Sequence, residues 1–232
     1  MKTVLSDVVL QKIIALEGWL WENEVRALYD YASLALSRGK TDRVLVEIGS
    51  WKGKSTIAIG SACRVRKKGW VYAIDPYDLI GSARHPKERA ALRMVEGAFR
   101  KHIADFGLHS YVRHLKMTSA DAHIRYQSLR VCFVFIDGDH RYESVRFDAD
   151  HWGKVLEHDG YMLLHDTLDH SGPHKVMRQL LFDPRYVYIG TIGNLSCFQK
   201  KRVLSVRNWI KKLYGYIAFW LFYKIYTPSV PS

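Results

Sequence analysis

The stretch Val44-Leu45-Val46-Glu47-Ile48-Gly49-Ser50-Trp51-Lys52-Gly53-Lys54-Ser55-Thr56 runs a short apolar segment into a turn punctuated by two glycines. A strand that ends this way needs backbone freedom at Gly49 and Gly53, where the chain turns tightly and approaches a ligand before a helix begins. The amides of the new helix then face that ligand. The spacing is ExGxxxG, which lacks the third glycine of GxGxxG and the GxxxxGK[ST] spacing of a P-loop, so Lys52 and Lys54 do not make a triphosphate site. A second apolar run, Trp70 to Ile74, ends at Asp75, roughly twenty residues beyond the glycine turn. An acid at that distance is placed to accept hydrogen bonds from ribose hydroxyls, which points to an adenosine-containing cofactor.

Outward from this turn, short apolar runs alternate with stretches long enough for crossover helices. The runs are Val44 to Ile48, Trp70 to Ile74, Tyr111 to Leu115, Val131 to Ile136 and Tyr161 to Leu164. Between them lie Lys54 to Arg66, Pro86 to Phe106, Ala120 to Tyr126 and Tyr142 to Leu156. That alternation predicts a mostly parallel sheet with helices on both faces. Tyr186 to Ile189 and Leu195 to Phe198 flank Gly193-Asn194 and predict an antiparallel hairpin that ends the sheet. Residues 4–16 and 21–37 carry apolar positions at helical spacing, so two helices precede the sheet, either covering it or lining a substrate pocket. The fold class is therefore α/β: a Rossmann-like, doubly wound, seven-stranded sheet. Residues 1–40 form an N-terminal helical extension, 41–200 the cofactor-binding domain and 201–232 a basic aromatic C-terminal helix or tail.

At 232 residues and 48% hydrophobic content, the chain suits one such domain with extensions and is not a disordered polymer. Cys63, Cys132 and Cys197 are odd in number and far apart, which argues against a disulfide framework or thiolate zinc site and fits a reducing, cytoplasmic setting. The N-terminus has Asp7 and Glu17 within its apolar pattern and lacks a small-residue cleavage site, so it does not read as a signal peptide. The net charge of +12 is concentrated late: from Pro184 onward there are eight Lys or Arg and no Asp or Glu.

The fourth apolar run ends in Ile136-Asp137-Gly138-Asp139-His140, and the fifth in Leu164-His165-Asp166-Thr167. Acids and imidazoles at the carboxyl ends of buried strands stand where open α/β sheets bind ligands. The competing local reading is a turn in which Asp139 caps the following helix. Asp121, in Ser119-Ala120-Asp121 after the third run, has the same two readings, ligand contact or helix cap.

With these motifs the chain resembles the class I S-adenosylmethionine-dependent methyltransferases. Over roughly residues 42–198 it is similar to the group containing macrocin O-methyltransferase and other small-molecule and sugar O-methyltransferases. The resemblance implies methyl transfer to a hydroxyl of a small molecule or sugar, with S-adenosylmethionine held by Glu47, Gly49, Ser50, Gly53, Ser55, Asp75, Asp121 and Asp137. It also implies a divalent cation, Mg²⁺, on Asp137 and Asp166, with Asp139 as the catalytic base and His140 as the alternative base. Metal-binding relatives usually carry Asn or Asp directly after the fifth-strand acid. Thr167 stands there instead, so it, His165 or His140 would have to complete the set, or the enzyme would work without metal. The NPPY-like tetrapeptide typical of methyltransferases acting on base amino groups is replaced by IDGD, which weighs against nucleic acid as acceptor.

The segment 200–226 combines Lys200, Lys201, Arg202 and further basic residues with Trp209, Trp220 and several tyrosines. Its uncharged run, Leu213 to Tyr223, is eleven residues, against about twenty needed to span a bilayer. Peripheral attachment to the inner face of a membrane and packing on the sheet or on a second subunit in a homodimer are both open. The first would bring a lipid-linked sugar within reach. Outside methyl transfer, a non-catalytic cofactor-binding scaffold and an NAD-dependent oxidoreductase share the glycine turn.

Overall fold

A computed structural model describes residues 4–38, 43–77 and 86–202, with 210, 213, 214 and 217 beyond them. Seven strands form one sheet in the order β3-β2-β1-β4-β5-β7-β6. They are β1 (Val44–Ile48), β2 (Trp70–Ile74), β3 (Val112–Leu115), β4 (Val131–Ile136), β5 (Leu156–Leu164), β6 (Tyr186–Ile192) and β7 (Leu195–Lys200). The first five are parallel, and β7 runs antiparallel to both β5 and β6. The Gly193-Asn194 turn closes the hairpin on the pair Ile192–Leu195, as its sequence predicts, with Gly193 at φ 60°.

Alternation along the strands splits the core in two. Leu45, Phe133, Phe135 and Leu163 face α1 (Asp7–Ile14), α2 (Glu22–Ser37), α3 (Lys54–Arg66) and the Phe99–Ile103 face of α4 (Pro86–Asp105). Val46, Ile48, Val134, Ile136, Met162 and Leu164 face α5 (Ser119–Tyr126), α6 (Tyr142–Val155) and α7 (Ser171–Phe182). β1 and β4 are buried along their whole length, as strands covered on both faces must be. The N-terminal helices share this core: Leu10, Ile13, Val25, Leu28 and Leu36 are all essentially unexposed.

Strand order reverses between β1 and β4, because β2 and β3 lie to one side of β1 while β4 starts the other side. The crevice at their carboxyl ends is where this architecture binds ligands. Helix α7, which opens on Ser171-Gly172-Pro173, is not among the helices that the sequence predicts. Proline is tolerated in a first helical turn, and Val176, Met177, Leu180 and Leu181 then bury one face. Among the described residues no helix is long and apolar enough to cross a membrane.

Candidate active site

The glycine turn is built as its spacing requires. Gly49 and Gly53 take φ values of 85° and 86°, Gly53 N–H donates to the Ser50 carbonyl at 2.7 Å, and α3 starts at the next residue. Glu47 lies beneath, fully buried, and its Oε2 accepts from Thr56 Oγ1. Its Oε1 has no hydrogen-bond partner among the described residues. Burial pushes the Glu47 pKa up to about 8, against the lowering effect of the Ser55 and Thr56 hydroxyls and with Asp137 and Asp75 adding repulsion. Asp75 accepts Trp51 N–H and Tyr77 N–H, each at 2.8 Å and each on a different oxygen. Burial raises its pKa and those amides oppose the rise. Ser50 meets the Tyr77 hydroxyl at 2.9 Å.

These groups fit the cofactor expected from the sequence. Each Asp75 oxygen retains a lone pair for a ribose hydroxyl, and the orphaned Glu47 Oε1 is a buried acceptor in need of a donor. Trp51 continues the turn at φ 41° and packs on the exposed Trp19 ring at 4.6 Å, with Lys52 over the Trp51 ring at 4.5 Å.

On the far side of β2, Thr118 caps α5. It accepts Asp121 N–H and donates to the exposed Asp121 carboxylate at 2.7 Å, so Thr118 is the N-cap and Asp121 stands in the first turn of the helix. The residue between them has the more constrained setting. Ser119 Oγ donates to the buried Asp148 and accepts Trp152 Nε1–H at 2.8 Å. Burial pushes the Asp148 pKa up to about 7.

The ends of β4 and β5 converge on a second cluster. Asp137 N–H bonds the Ile48 carbonyl, which ties the two strand ends together. His165 is 4% exposed, with Nδ1 3.3 Å from both Asp137 Oδ1 and Asp166 Oδ1, and Nε2 3.5 Å from Glu24 Oε2. Burial alone would lower the His165 pKa, but Asp137, Asp166 and Glu24 outweigh it and push it up to about 12. His140 Nε2 stands 3.1 Å from Asp166 Oδ2, and its ring lies 4.1 Å from that of His170. Asp166 raises the His140 pKa, and the two imidazoles hold that of Asp166 well below the carboxylate range despite its burial. Asp166 has φ 55° and is held by Asn194 Nδ2 at 3.0 Å. A non-glycine residue in the left-handed region is a strain that functional sites tolerate.

Three sequence expectations change here. Asp139 does not join the cluster: its carboxylate accepts Arg141 N–H, Arg141 Nε–H and Ser144 Oγ–H at 3.1, 2.6 and 2.8 Å, which ties it to the residues around the start of α6. Against partial burial, these bonds hold its pKa below the usual value, which makes it a weak base. Thr167 turns away from the acids. It is fully buried, and its hydroxyl meets the Asn194 carbonyl and Ser196 Oγ, so it supplies no metal ligand. The donors that do converge, Asp137, Asp166 and the His165 nitrogen, do not fit the all-oxygen shell of Mg²⁺. Glu24, which the sequence did not single out, reaches the site from α2. It is 1% exposed, and besides facing His165 it accepts Trp21 N–H and Asn194 N–H at 2.8 and 2.7 Å.

Comparison with known proteins agrees with this architecture. A protein-family model described as "Methyltransferase domain" matches residues 46–167, a little over half of the chain. An uncharacterized protein of Acanthamoeba polyphaga mimivirus is 28% identical over 145 residues; the match covers 62% of this chain and only 61% of that relative's length. The crystal structure of the O-methyltransferase TomG from Streptomyces achromogenes, in complex with SAM, superposes with a TM-score of 0.61 at 15% identity, covering 85% of this chain and 92% of TomG. The O-methyltransferase from Bacillus cereus in complex with SAH gives 0.58 at 14% identity, covering 84% and 92%. At these identities the likeness is one of fold.

Proposed function

The chain belongs to the methyltransferase-domain family, and from that premise we propose that it moves a methyl group from S-adenosylmethionine to a hydroxyl of a small molecule or sugar. The observation that carries the proposal is a juxtaposition at the β1/β4 crevice. The Gly49–Gly53 turn with its Asp75 anchor lies on one side, and a His140–Asp166 pair stands 3.1 Å apart on the other. SAM- and SAH-bound O-methyltransferases of the same fold support the choice of donor and acceptor.

When bound, S-adenosylmethionine supplies a methyl group on a cationic sulfur, open to in-line displacement by an oxygen nucleophile. Asp75 receives the ribose hydroxyls, and the buried Glu47 carboxyl receives the ammonium of the methionine end. Asp166 orients His140 through Nε2, which leaves Nδ1 to take the proton from the acceptor hydroxyl as its oxygen bonds to carbon. Raising the imidazole pKa strengthens it as a base, which is what a hydroxyl far less acidic than itself requires. Most of the rate comes from holding the two reactants in line.

Thermal denaturation in the presence of S-adenosylmethionine, S-adenosylhomocysteine and NAD tests the cofactor. Saturation at about 100 times the dissociation constant stabilises by about 2.7 kcal/mol, or several degrees for a chain of this length. Stabilisation by the adenosyl sulfur compounds alone supports the proposal; a shift with NAD alone, or with none, sinks it.

Residues 200–226 lie mostly outside the described residues. Their basic and aromatic composition supports attachment to an anionic membrane surface. Co-sedimentation with phosphatidylglycerol vesicles that is lost at high salt tests this, and concentration-dependent sedimentation without vesicles would assign the tail to a second copy of the chain instead.

A further inference from the structure

The two ends of the parallel strands carry opposite charge. Glu47, Asp75, Asp137 and Asp166 stand at the carboxyl ends. The cations beside them are paired: Lys52 with Glu17, Arg141 with Asp139 and Lys116 with Glu96. The amino ends are basic. Lys67 closes α3 ahead of β2, Arg130 precedes β4, and Lys154 stands in the last turn of α6 ahead of β5. Arg202 follows β7, which runs antiparallel to β5 and so finishes at this same edge. All four are exposed, and among the described residues none of the four is in a salt bridge. The acids of this edge are matched already, Glu157 by Arg43, Asp159 by Arg38 and Lys201, and Asp183 by Arg185. Helix dipoles account for cations at the ends of α3 and α6. Arg130 and Arg202 adjoin strands, which have little net dipole to complement.

The chain also leaves the sheet at this edge, where Lys201 N–H bonds the Arg185 carbonyl at 2.8 Å. Beyond it, Ile210, Leu213, Tyr214 and Ile217 are helical, lie at i, i+3, i+4 and i+7, and are 54, 57, 74 and 45% exposed. An apolar stripe with that spacing, turned to solvent and interleaved in sequence with Lys211 and Lys212, is what an interfacial helix inserts.

We propose that the basic edge of the sheet, around Lys67, Arg130, Lys154 and Arg202, is a docking face for an anionic lipid bilayer, on which the domain sits with its crevice turned to the water. This rests on the reading that the tail attaches the chain to a membrane, and it adds what the folded domain contributes. The tail inserts its apolar stripe, and the edge from which it emerges supplies a second, electrostatic contact on the same side. The acids of the crevice face away from the lipid phosphates, so the charge asymmetry of the domain favours this orientation over its reverse. A nucleic-acid backbone offers the same negative charge but nothing to cover Ile210, Leu213, Tyr214 and Ile217. The five residues of β1, at about 3.3 Å each, set the glycine turn roughly 17 Å from the docking edge. A docked domain therefore takes its methyl acceptor from solution and not from the headgroups beneath it.

The test uses the full chain and vesicles of phosphatidylcholine and phosphatidylglycerol in equal parts. A cation beside an anionic bilayer raises partitioning roughly fivefold, so Lys67→Gln with Arg130→Gln should lower it roughly 25-fold with the tail untouched. Removing the same charge near the crevice, by Lys116→Gln with Lys175→Gln, should change it by less than about twofold, because those positions stand beyond a Debye length from the surface. Leu213→Gln with Ile217→Gln tests the tail separately. Hydrogen exchange on vesicles gives the orientation: it should slow at 64–68 and 128–131 and stay unchanged at 49–53 and 137–140. Binding unchanged in a folded Lys67→Gln, Arg130→Gln chain but lost in the tail variant would keep the anchor and overturn the docking face. The converse pattern would remove the anchor and support the face. Equal losses from both edges, protection at the crevice, tighter binding to duplex DNA than to vesicles at equal phosphate, or a wild type that ignores vesicles would each overturn the proposal.

Discussion

Gly49 lies directly against the carbonyl of Asp137: a Cβ built on Gly49 would stand 2.0 Å from that oxygen and 2.7 Å from Gly138 Cα. The glycine turn after β1 and the strand end that carries the first acid of the second cluster are thus in backbone contact. Neither partner can yield by rotating a side chain. Gly49→Ala must also hold φ near 85°, which costs an L-residue about 1–2 kcal/mol before any clash. We expect a loss of more than about 2 kcal/mol in chemical denaturation, together with loss of S-adenosylmethionine binding. A variant destabilised by less than 1 kcal/mol, with binding intact, would show that the two backbones do not meet this closely.

Glu47 supplies a pH-dependent prediction. Its folded pKa, about 8, lies above the ordinary carboxylate value, so the folded state holds a proton that the unfolded state has lost. The stability it contributes is therefore complete below the unfolded pKa and falls as pH rises through about 8. A ligand ammonium beside Oε1 favours the ionised form. Cofactor binding at pH 7 should release a proton, seen by calorimetry as a heat that varies with the ionisation enthalpy of the buffer. Glu47→Gln should abolish that release and weaken binding roughly 10- to 100-fold, as expected for one charge-assisted hydrogen bond. Buffer-independent heats in the wild type would remove Glu47 from the cofactor site.

Asp148 behaves in the same sense in a lower window. With its folded pKa raised to about 7, stability should decline as pH rises from the unfolded value near 4 to about 7. Asp148→Asn can still accept the Ser119 hydroxyl and sheds the buried charge. Its melting temperature should exceed the wild type by several degrees at pH 8 and match it at pH 4. Equal differences at both pH values would mean that the Asp148 carboxyl titrates normally.

His140 and Asp139 divide the roles that their adjacency in sequence leaves open. His140→Ala should lower kcat by roughly 10²- to 10⁴-fold while leaving S-adenosylmethionine affinity unchanged. Asp139→Asn loses charge-assisted bonds to Arg141 and Ser144, so it should lower stability by about 1 kcal/mol and leave most turnover in place. The reverse ranking would return the base to Asp139. A chain whose cellular function survives both substitutions would be a scaffold.

The legible part of this molecule was its periodic part. Apolar runs of strand length and the two glycines locate β1 to β5 and the turn, because burial on both faces and positive φ leave few alternatives at those positions. Asp137, His140 and Asp166 stand out in the sequence because strand ends in an open α/β sheet are ligand positions whatever the ligand. Glu24 carried no such signal. An acid in the first turn of a helix reads as an ordinary cap, and α2 does use it so, through Trp21 N–H. Only the packing of α2 against β5 and the β6–β7 turn reveals that the same carboxylate faces His165. Thr167 misled for the opposite reason: its place in the motif says nothing about rotation of its side chain into the β7 interface.

Glu24 also sets when the site can exist. Its bond to Asn194 N–H joins residues 170 positions apart, so during synthesis this partner, unlike the local Trp21 N–H, reaches the carboxylate only once almost the whole sheet has been made. Contacts of such long range form late and close cooperatively. The His165 environment is consequently a readout of complete folding: a nascent or clipped chain lacking the β6–β7 hairpin would carry both strand-end acids and still have no finished site.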